Sequence, residues 1–301
     1  MRVFVTGASG FIGSAVVPEL IGAGHQVVGL ARSDASAAAL ASAGAEVHRG
    51  SLDDLDRLRS AAAASDGVIH LAFRHDIAFS GDFQGAADAD RRAIETFGEA
   101  LAGSDRPFVI PTGTALLAAG RLGSERDSAD PNSIGALRIP SEQTALSLAA
   151  RGVRSTVVRL APSVHGEGDH GFIATLIGIA RDKGVSGYIG DGSNRWAAVH
   201  RLDAARLFRL ALEKAPAGSV LHGVADEGVP VRAIAEVIGR HLAFPVVAII
   251  PEDAGEHFGW LAAFIAADSP ASSTLTRELV GWQPMHPGLI DDLDQGHYFN
   301  V

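Results

Sequence analysis

Short apolar runs and amphipathic segments alternate along the first 160 residues of the chain. The apolar runs predict six strands, at residues 3–5, 26–31, 45–48, 68–72, 108–112 and 154–160. Segments that are rich in alanine, or that carry apolar residues at helical spacing, predict helices from about residue 11 and at 35–43, 51–64, 86–103 and 140–151. Strands and helices in this rhythm form parallel sheets that helices cover on both faces. We therefore predict an α/β fold with a doubly wound parallel sheet.

The pattern loosens after residue 160, where fewer regular elements are predicted. These are helices at 172–182, 203–214 and 230–241, and a strand at 246–250. Glycine-rich stretches at 165–171 and 184–192 indicate loops. We interpret the chain as one continuous unit with a larger first part, 1–160, and a smaller second part, 161–301. The second part would cover the first and return some segments to it.

Three glycines follow the first predicted strand at intervals of three residues. Gly7 permits a tight exit from the strand, Gly10 lets a pyrophosphate approach the backbone, and Gly13 lets the next helix pack closely. A turn without a ligand is the alternative, but the position between a strand and a helix N-terminus favours a Rossmann-type dinucleotide site. The predicted cofactor loop consists of Gly7, Ser9, Gly10, Phe11, Ile12 and Gly13.

The end of the second predicted strand carries a positive charge. An acidic residue there would accept hydrogen bonds from a ribose 2′-hydroxyl and select NAD. Here Ala31 is followed by Arg32 and Ser33. An arginine suits a 2′-phosphate because it is always charged and donates hydrogen bonds in a fork. We therefore favour NADP(H) over NAD(H), with a solvated surface role for Arg32 as the alternative.

Together with Thr6, the glycines resemble the T-G-x-x-G-x-x-G motif of the extended short-chain dehydrogenase/reductases, the group of NAD-dependent epimerases and dehydratases. Four later segments resemble the same family in order: an adenine-contacting segment at 50–53, the fourth strand at 68–72, a segment beside nicotinamide at 159–166, and one leading to V-H-V-x-D at 196–203. The resemblance implies a Rossmann-type fold and further cofactor contacts from Leu52, Asp53, Leu71, Ala72 and Ala161.

The usual catalytic residues of that family are missing. Its members normally use Tyr-x-x-x-Lys, in which the lysine lowers the tyrosine pKa and the tyrosine transfers a proton. Anchoring on residues 141–142 places Ile134 at the tyrosine position and Arg138 at the lysine position. Arg138 could still hold ribose hydroxyls or a phosphate, whereas Ile134 cannot move a proton. The chain therefore resembles the atypical members, which keep the glycine loop and lack the usual active-site residues.

Four residues are candidates for catalysis. Thr112 and Thr114 end the fifth predicted strand, where a threonine either hydrogen-bonds a substrate oxygen or caps the strand. His75 follows the fourth predicted strand, and His165 stands in the segment that resembles the family's nicotinamide-contacting one. Histidine is the best generic proton donor near neutral pH. For each histidine, a hydrogen-bonded structural role is the alternative.

Composition removes several classes of function. The chain has 301 residues, of which 47% are hydrophobic, a net charge of −10 and no cysteine. The negative charge argues against a nucleic-acid partner, and the missing cysteines exclude disulfides and thiolate catalysis. No recognised metal-ligand spacing occurs, so we predict no metal site. No signal peptide or membrane-spanning run is visible, and we expect a cytoplasmic protein without a membrane partner.

The sequence thus predicts an NADP(H)-dependent oxidoreductase of atypical type that acts on a small carbonyl compound. A non-catalytic NADP-binding sensor is the first alternative, because Tyr-x-x-x-Lys is absent. A nucleotide-sugar epimerase or dehydratase is the second, and the missing tyrosine weighs against it. The resemblance also implies a possible homodimer through the helices predicted at 86–103 and 140–151, whose alanine-rich faces would permit close packing.

Overall fold

A computed structural model describes residues 1–78 and 80–300 and has a parallel seven-stranded sheet at its centre. Its strand order is β3-β2-β1-β4-β5-β6-β10. From β1, successive strands are added first on one side and then, from β4 onward, on the other, while all strands stay parallel. This order confirms the predicted doubly wound α/β fold. The strands in chain order are β1 Arg2–Thr6, β2 Gln26–Ala31, β3 Glu46–Arg49, β4 Gly67–His70, β5 Pro107–Gly113, β6 Arg154–Leu160, β7 Ser163–His165, β8 Ser186–Ile189, β9 Arg195–His200, β10 Ser219–Gly223, β11 Asp226–Pro230 and β12 Val246–Ile249.

Helices cover both faces of the central sheet. One apolar core contains α1, α2, α8 and the side chains of Val3 and Val5, and a second contains α3, α5, α6 and Phe4. This division follows from the alternation of side chains along a strand. The helices are α1 Gly13–Gly22, α2 Asp34–Ser42, α3 Leu55–Ala63, α4 His75–Ala78, α5 Phe83–Leu101, α6 Ile139–Ser147, α7 Phe172–Lys183, α8 Arg201–Lys214, α9 Val231–Leu242, α10 Ala254–Phe258, α11 Ala262–Ala266, α12 Thr274–Val280 and α13 Leu289–Asp294.

The predicted elements of the first 160 residues agree with the structure, apart from their ends. The helix predicted at 51–64 begins only at Leu55, because the side chain of Asp54 caps it by accepting a hydrogen bond from the backbone N–H of Arg57. Alanines of α5 such as Ala86 and Ala93 are buried within the chain. They are therefore not available for the helix pairing between two copies, and the homodimer stays a prediction.

The later part of the chain holds strands that the sequence pattern did not predict. The stretch 184–192, expected to be a loop, contains β8, which pairs in parallel with β12. A second sheet of order β11-β9-β7 packs with α7, α9 and α13 around a separate apolar core. β10 instead completes the central sheet beside β6. No helix in the described ranges, 1–78 and 80–300, is long and apolar enough to cross a membrane.

Candidate functional site

The carboxyl ends of the parallel strands bring most of the predicted site residues to one edge of the sheet. The glycine loop follows β1, Arg32 follows β2, and Asp53 lies after β3. Loops after β4, β5 and β6 add the remaining positions along the same edge, namely Leu71, Ala72, His75, Thr114 and Ala161. In open α/β sheets this edge is where ligands bind. His165 instead ends β7 in the second sheet.

The glycine loop has the shape that a phosphate-binding backbone requires. Gly7 has φ +64°, and a Cβ there would lie 2.7 Å from the backbone nitrogen of Ala72. A Cβ on Gly13 would lie 2.0 Å from the carbonyl oxygen of Gly7. These two glycines are therefore needed to form the loop itself. A Cβ on Gly10 would meet only that same carbonyl oxygen, at 3.2 Å, so the outer side of Gly10 is open.

Free donors line the open side of this loop. Within the described part of the chain, no group accepts a hydrogen bond from the backbone N–H of Phe11 or Ile12. Both donors lie at the N-terminus of α1, where the helix dipole favours a negative charge. The ring of Phe11 is covered by the guanidinium of Arg201, 5.2 Å from the ring centroid, and by His170. Backbone donors at an open, positively polarised end fit the phosphates of a dinucleotide.

Thr6 ties the end of β4 to the glycine loop. Its hydroxyl oxygen accepts a hydrogen bond from the backbone N–H of Ala72 at 3.2 Å and lies 2.6 Å from Nδ1 of His70. The Nε2 atom of His70 faces a carboxylate oxygen of Asp90 at 3.4 Å. A proton on Nε2 would face that carboxylate, and Nδ1 would then accept a hydrogen bond from the Thr6 hydroxyl. His70 is thus a structural residue, and this network fixes Ala72 beside Gly7.

Asp90 positions Arg138 at the sheet edge. The carboxylate is buried, and Arg138 Nη2 lies 3.3 Å from it while donating a hydrogen bond to the carbonyl oxygen of Pro111 at 3.1 Å. Burial alone would raise the pKa of Asp90, but the positive charge of Arg138 and the hydrogen bond from His70 hold it below its usual value. Sequence reasoning missed Asp90, although it lies four residues before Ile94 on the apolar stripe of α5.

Two rings and a guanidinium group pack together beside this ion pair. The guanidinium of Arg138 lies 4.4 Å from the centroid of the Phe73 ring, and that ring is 5.1 Å from the imidazole of His75. Partial burial lowers the pKa of His75, and the positive charges of Arg138 and His170 lower it further. The structure therefore groups two of the predicted residues, His75 and Arg138, around a phenylalanine that the sequence did not single out.

Thr112, near the end of β5, and Thr114, just after it, have different environments. The Thr112 hydroxyl donates a hydrogen bond to Glu142 Oε2 at 2.9 Å, and Glu142 forms a buried ion pair with Arg159. The structure therefore does not favour a catalytic Thr112, because its proton is already donated within the core. The Thr114 hydroxyl is buried and has no hydrogen-bond partner in the described chain.

The segment that carries Ile134 packs beside Thr114. The backbone N–H of Gly135 donates a hydrogen bond to the carbonyl oxygen of Ala115 at 3.1 Å. A Cβ on Gly135 would lie 3.0 Å from that oxygen, so the two backbones are in close contact. This contact brings Ile134, at the position of the missing tyrosine, next to the turn that begins at Thr114. Ile134 is 41% exposed and presents an apolar surface there.

His165 is enclosed rather than open to the sheet edge. Its side chain is fully buried, and Nδ1 lies 2.8 Å from a carboxylate oxygen of Asp292. Its ring also contacts the ring of His200, which caps α8 by accepting a hydrogen bond from the backbone N–H of Leu202. The structure therefore does not favour the predicted catalytic role of His165. The sequence could not reveal this, because Asp292 lies 127 residues later.

The C-terminal segment is held over this histidine pair. The Asp203 carboxylate accepts hydrogen bonds from the backbone N–H groups of Met285 and His286 at 2.9 and 3.0 Å. The Tyr298 hydroxyl accepts a hydrogen bond from the backbone N–H of Gly166 and donates one to Asp169. Burial and the negative charge of Asp169 raise the pKa of Tyr298, so its hydroxyl keeps its proton. These contacts make Asp203, in the V-H-V-x-D-like segment, a structural anchor.

Several predicted adenosine contacts have partners within the chain. Asp53 is exposed and pairs with Arg74 at 2.8 Å, and Arg32 lies 3.5 Å from Asp76. Ser33 caps α2 by accepting a hydrogen bond from the backbone N–H of Ser36. The side chain of Leu52 is buried in the core around α3, so only its backbone remains available to a ligand.

Comparisons with known proteins place the chain in a family. Residues 3–222 match the model of the NAD dependent epimerase/dehydratase family. An uncharacterized protein of Schizosaccharomyces pombe is 49% identical over 99% of this chain and 100% of its own length. Sterol-4-alpha-carboxylate 3-dehydrogenase (decarboxylating) of Dictyostelium discoideum is 28% identical over 77% of this chain and 73% of its own.

The fold also matches solved structures along nearly its whole length. MoeE5 in complex with UDP-glucuronic acid and NAD superimposes with a TM-score of 0.75 at 22% identity, covering 98% of this chain and 97% of that one. At this identity the likeness concerns the fold. The family match spans more than two thirds of the chain and includes the glycine loop. The protein is therefore a member of the NAD dependent epimerase/dehydratase family.

Proposed function

We propose that the protein is an NADP(H)-dependent oxidoreductase that reduces a small carbonyl compound and lacks the tyrosine usual in its family. The observation that carries this proposal is the group formed by Arg138, Phe73 and His75 at the sheet edge. It supplies a cation and a titratable imidazole close to the loop in which Thr114 has an unpartnered hydroxyl. Family membership and the dehydrogenase activity named for the Dictyostelium relative support the oxidoreductase class.

The residues at the edge have distinct tasks in binding the cofactor. The open backbone of Gly10 and the free N–H groups of Phe11 and Ile12 would hold the phosphates. Arg32 would pair with a 2′-phosphate, which favours NADP(H). Arg138, fixed by Asp90, would hold the ribose hydroxyls on the nicotinamide side.

The chemistry then requires a hydride and a proton. When bound, a reduced nicotinamide supplies the hydride to the carbonyl carbon. The Thr114 hydroxyl would donate a hydrogen bond to the carbonyl oxygen, which stabilises the negative charge that develops there. Protonated His75 would donate its proton to that oxygen, and its imidazole would become neutral. Ile134 would contact the apolar part of the substrate where other family members have tyrosine.

A non-catalytic NADP-binding sensor is the second candidate. The observation that favours it is Ile134, an apolar and partly exposed side chain at the place of the usual proton donor. A sensor would bind the nucleotide through the same glycine loop but would turn over no substrate. A nucleotide-sugar epimerase is disfavoured, since reversible oxidation of a sugar hydroxyl needs a base in that position.

A binding titration followed by a substrate screen tests the proposal. Purified protein is titrated with NADPH and NADH by calorimetry, and carbonyl compounds are then screened by the loss of reduced-nicotinamide absorbance. We expect NADPH to bind more tightly than NADH and at least one carbonyl compound to be reduced. NADPH binding without turnover across a broad panel would favour the sensor. No binding of either nucleotide would refute the cofactor assignment altogether.

A further inference from the structure

Two arginines share one carboxylate beyond the carboxyl ends of β2 and β4. Arg74 donates hydrogen bonds from Nε to Asp76 Oδ1 at 3.0 Å and from Nη2 to Asp76 Oδ2 at 3.1 Å. Arg32 Nη1 approaches the same Oδ2 atom at 3.5 Å. Because a single carboxylate contacts both guanidinium groups, both can reach one common anion position.

Arg74 is held in place more firmly than Arg32. Its Nη1 atom donates to both carboxylate oxygens of Asp53, at 3.0 and 2.8 Å, in addition to its bonds with Asp76. Its side chain is only 22% exposed, whereas that of Arg32 is 69% exposed. A guanidinium group already fixed in position loses less conformational entropy when it binds an anion. Arg74 is therefore the better prepared of the two cations.

The shared anion position lies where a 2′-phosphate would be. Arg32 follows β2, the strand whose end lies beside the cofactor's adenosine ribose in this fold. Arg74 reaches the same point from the loop after β4, on the other side of β1. A phosphate monoester carries up to two negative charges and three acceptor oxygens, so it can bind both arginines at once. The Asp76 carboxylate, with one charge, takes that place in the free protein.

We propose that Arg74 is a second specificity-determining residue for 2′-phosphorylated nucleotides, and that Asp76 is an internal anion which the phosphate must displace. This inference rests on the proposed binding of NADP(H). The two side chains then have opposite effects on the same ligand. Arg74 attracts the phosphate, whereas Asp76 occupies the arginines and repels it, so the discrimination between NADPH and NADH depends on both.

Calorimetric titration of variants with NADPH and NADH separates these effects. Arg74→Met keeps the length of the side chain and removes its charge; we expect the Kd for NADPH to rise about 10- to 100-fold, as for loss of a charged hydrogen bond. The Kd for NADH should change by less than about threefold. Arg74→Lys should retain part of the NADPH affinity. Asp76→Asn should lower the Kd for NADPH about three- to tenfold and leave NADH unchanged.

A matched control is Arg232→Met, which removes an arginine from an exposed ion pair with Glu236 on α9. We expect it to change neither Kd. If Arg74→Met and Asp76→Asn both raise the Kd for NADPH and the Kd for NADH by the same factor, the two residues only stabilise the loop and the inference is wrong. An Asp76→Asn variant that binds NADPH less tightly would also overturn it. If the wild-type protein binds neither nucleotide, the proposed function itself fails, which is a different result.

Discussion

The imidazole rings of His200 and His286 are stacked, with centroids 4.8 Å apart and planes 13° from parallel. His200 also meets the ring of the enclosed His165 edge-on at 5.4 Å. The three rings join the ends of β7 and β9 to the C-terminal segment. A positive charge on the middle ring would be poorly solvated and would face two further imidazoles. This stack therefore requires a neutral His200.

We expect protonation of His200 to destabilise the fold in mild acid. Burial, together with His165, lowers the pKa of His200 from 6.5 to about 4 in the folded protein. Between these two values the unfolded chain binds the extra proton, so the stability contribution is complete above pH 6.5 and is lost as the pH falls towards 4. At about 1.4 kcal/mol for each pKa unit, the loss is at most about 3.5 kcal/mol.

Urea unfolding of the wild type and of His200→Asn at a series of pH values checks this expectation. Asparagine keeps an acceptor for the backbone N–H at the start of α8 but does not titrate. The pH dependence between 6.5 and 4 should become shallower in the variant. An unchanged slope would mean that other groups cause the acid sensitivity.

Glu142→Gln should destabilise the protein strongly. The change leaves Arg159, whose side chain is only 3% exposed, without a counter-charge in the core. We expect the free energy of unfolding to fall by about 3–5 kcal/mol, as for a broken buried ion pair. Urea unfolding measures it. The matched control is Glu99→Gln at the exposed pair with Arg59, where solvent screens the charges and the loss of stability should be far smaller. Equal losses at the two sites would contradict the assigned difference in burial.

The sequence predicted the central sheet well because its signals are local. Apolar runs predicted five of the first six strands to within one residue at both ends, and the glycine spacing located the loop after β1. β8 was missed because Ser186–Ile189 is short, contains a glycine and is held by backbone pairing to β12. Such pairing leaves no periodic signal in a strand of four residues.

The chemistry at the site was harder to predict because it depends on contacts between distant residues. From the sequence, Thr112 and Thr114 are equally good candidates for contact with a substrate oxygen, yet only Thr112 donates a hydrogen bond to Glu142. His165 stands in the segment that resembles the nicotinamide-contacting one, but Asp292 encloses it from the far end of the chain. Which face of an element a polar side chain takes, and which partner it meets there, becomes known only from the packed structure.

Two glycine substitutions separate the formation of the loop from the binding of phosphate. Gly13→Ala places a methyl group 2.0 Å from the Gly7 carbonyl oxygen and should cost about 1–3 kcal/mol of stability or more. Gly10→Ala meets only that oxygen, at 3.2 Å, and should leave stability within about 1 kcal/mol. Its NADPH affinity should nevertheless fall at least about tenfold, because the methyl group fills the phosphate position. Thermal unfolding and calorimetry measure the two effects. Unchanged NADPH affinity in Gly10→Ala would place the phosphates elsewhere.

Thr112 and Thr114, at the carboxyl end of β5, provide a matched pair for catalysis. With a substrate identified by the screen, Thr114→Val should lower kcat on the order of 100-fold, as for loss of one donor to a developing oxyanion. NADPH affinity should not change. Thr112→Val should instead lower stability by about 1–3 kcal/mol, because Glu142 loses a buried hydrogen bond, while kcat changes little. Steady-state kinetics and urea unfolding distinguish the two. A larger kcat effect for Thr112 would reverse the assignment.

The pH dependence of carbonyl reduction tests His75 as the proton donor. Its pKa lies below the ordinary value of 6.5, because of partial burial and the charges of Arg138 and His170. Only the protonated imidazole can deliver a proton, so kcat/KM for reduction should rise as the pH falls below 6.5. The wild-type profile should therefore have a limb that declines with increasing pH through the lowered pKa of His75.

His75→Gln keeps a hydrogen-bond donor but has no titrating proton, so it should remove this limb and lower kcat/KM by about 10²- to 10⁴-fold. His170→Gln serves as the control. It removes one of the charges that lower the pKa of His75, so the limb should persist and move to higher pH. The limb should thus disappear in His75→Gln but only shift in His170→Gln. This contrast is expected only if His75 carries the proton, because loss of a merely structural histidine would lower the rate equally at every pH. A profile that keeps its limb in His75→Gln would assign proton transfer to another group, and the sheet edge would then retain only its nucleotide-binding role.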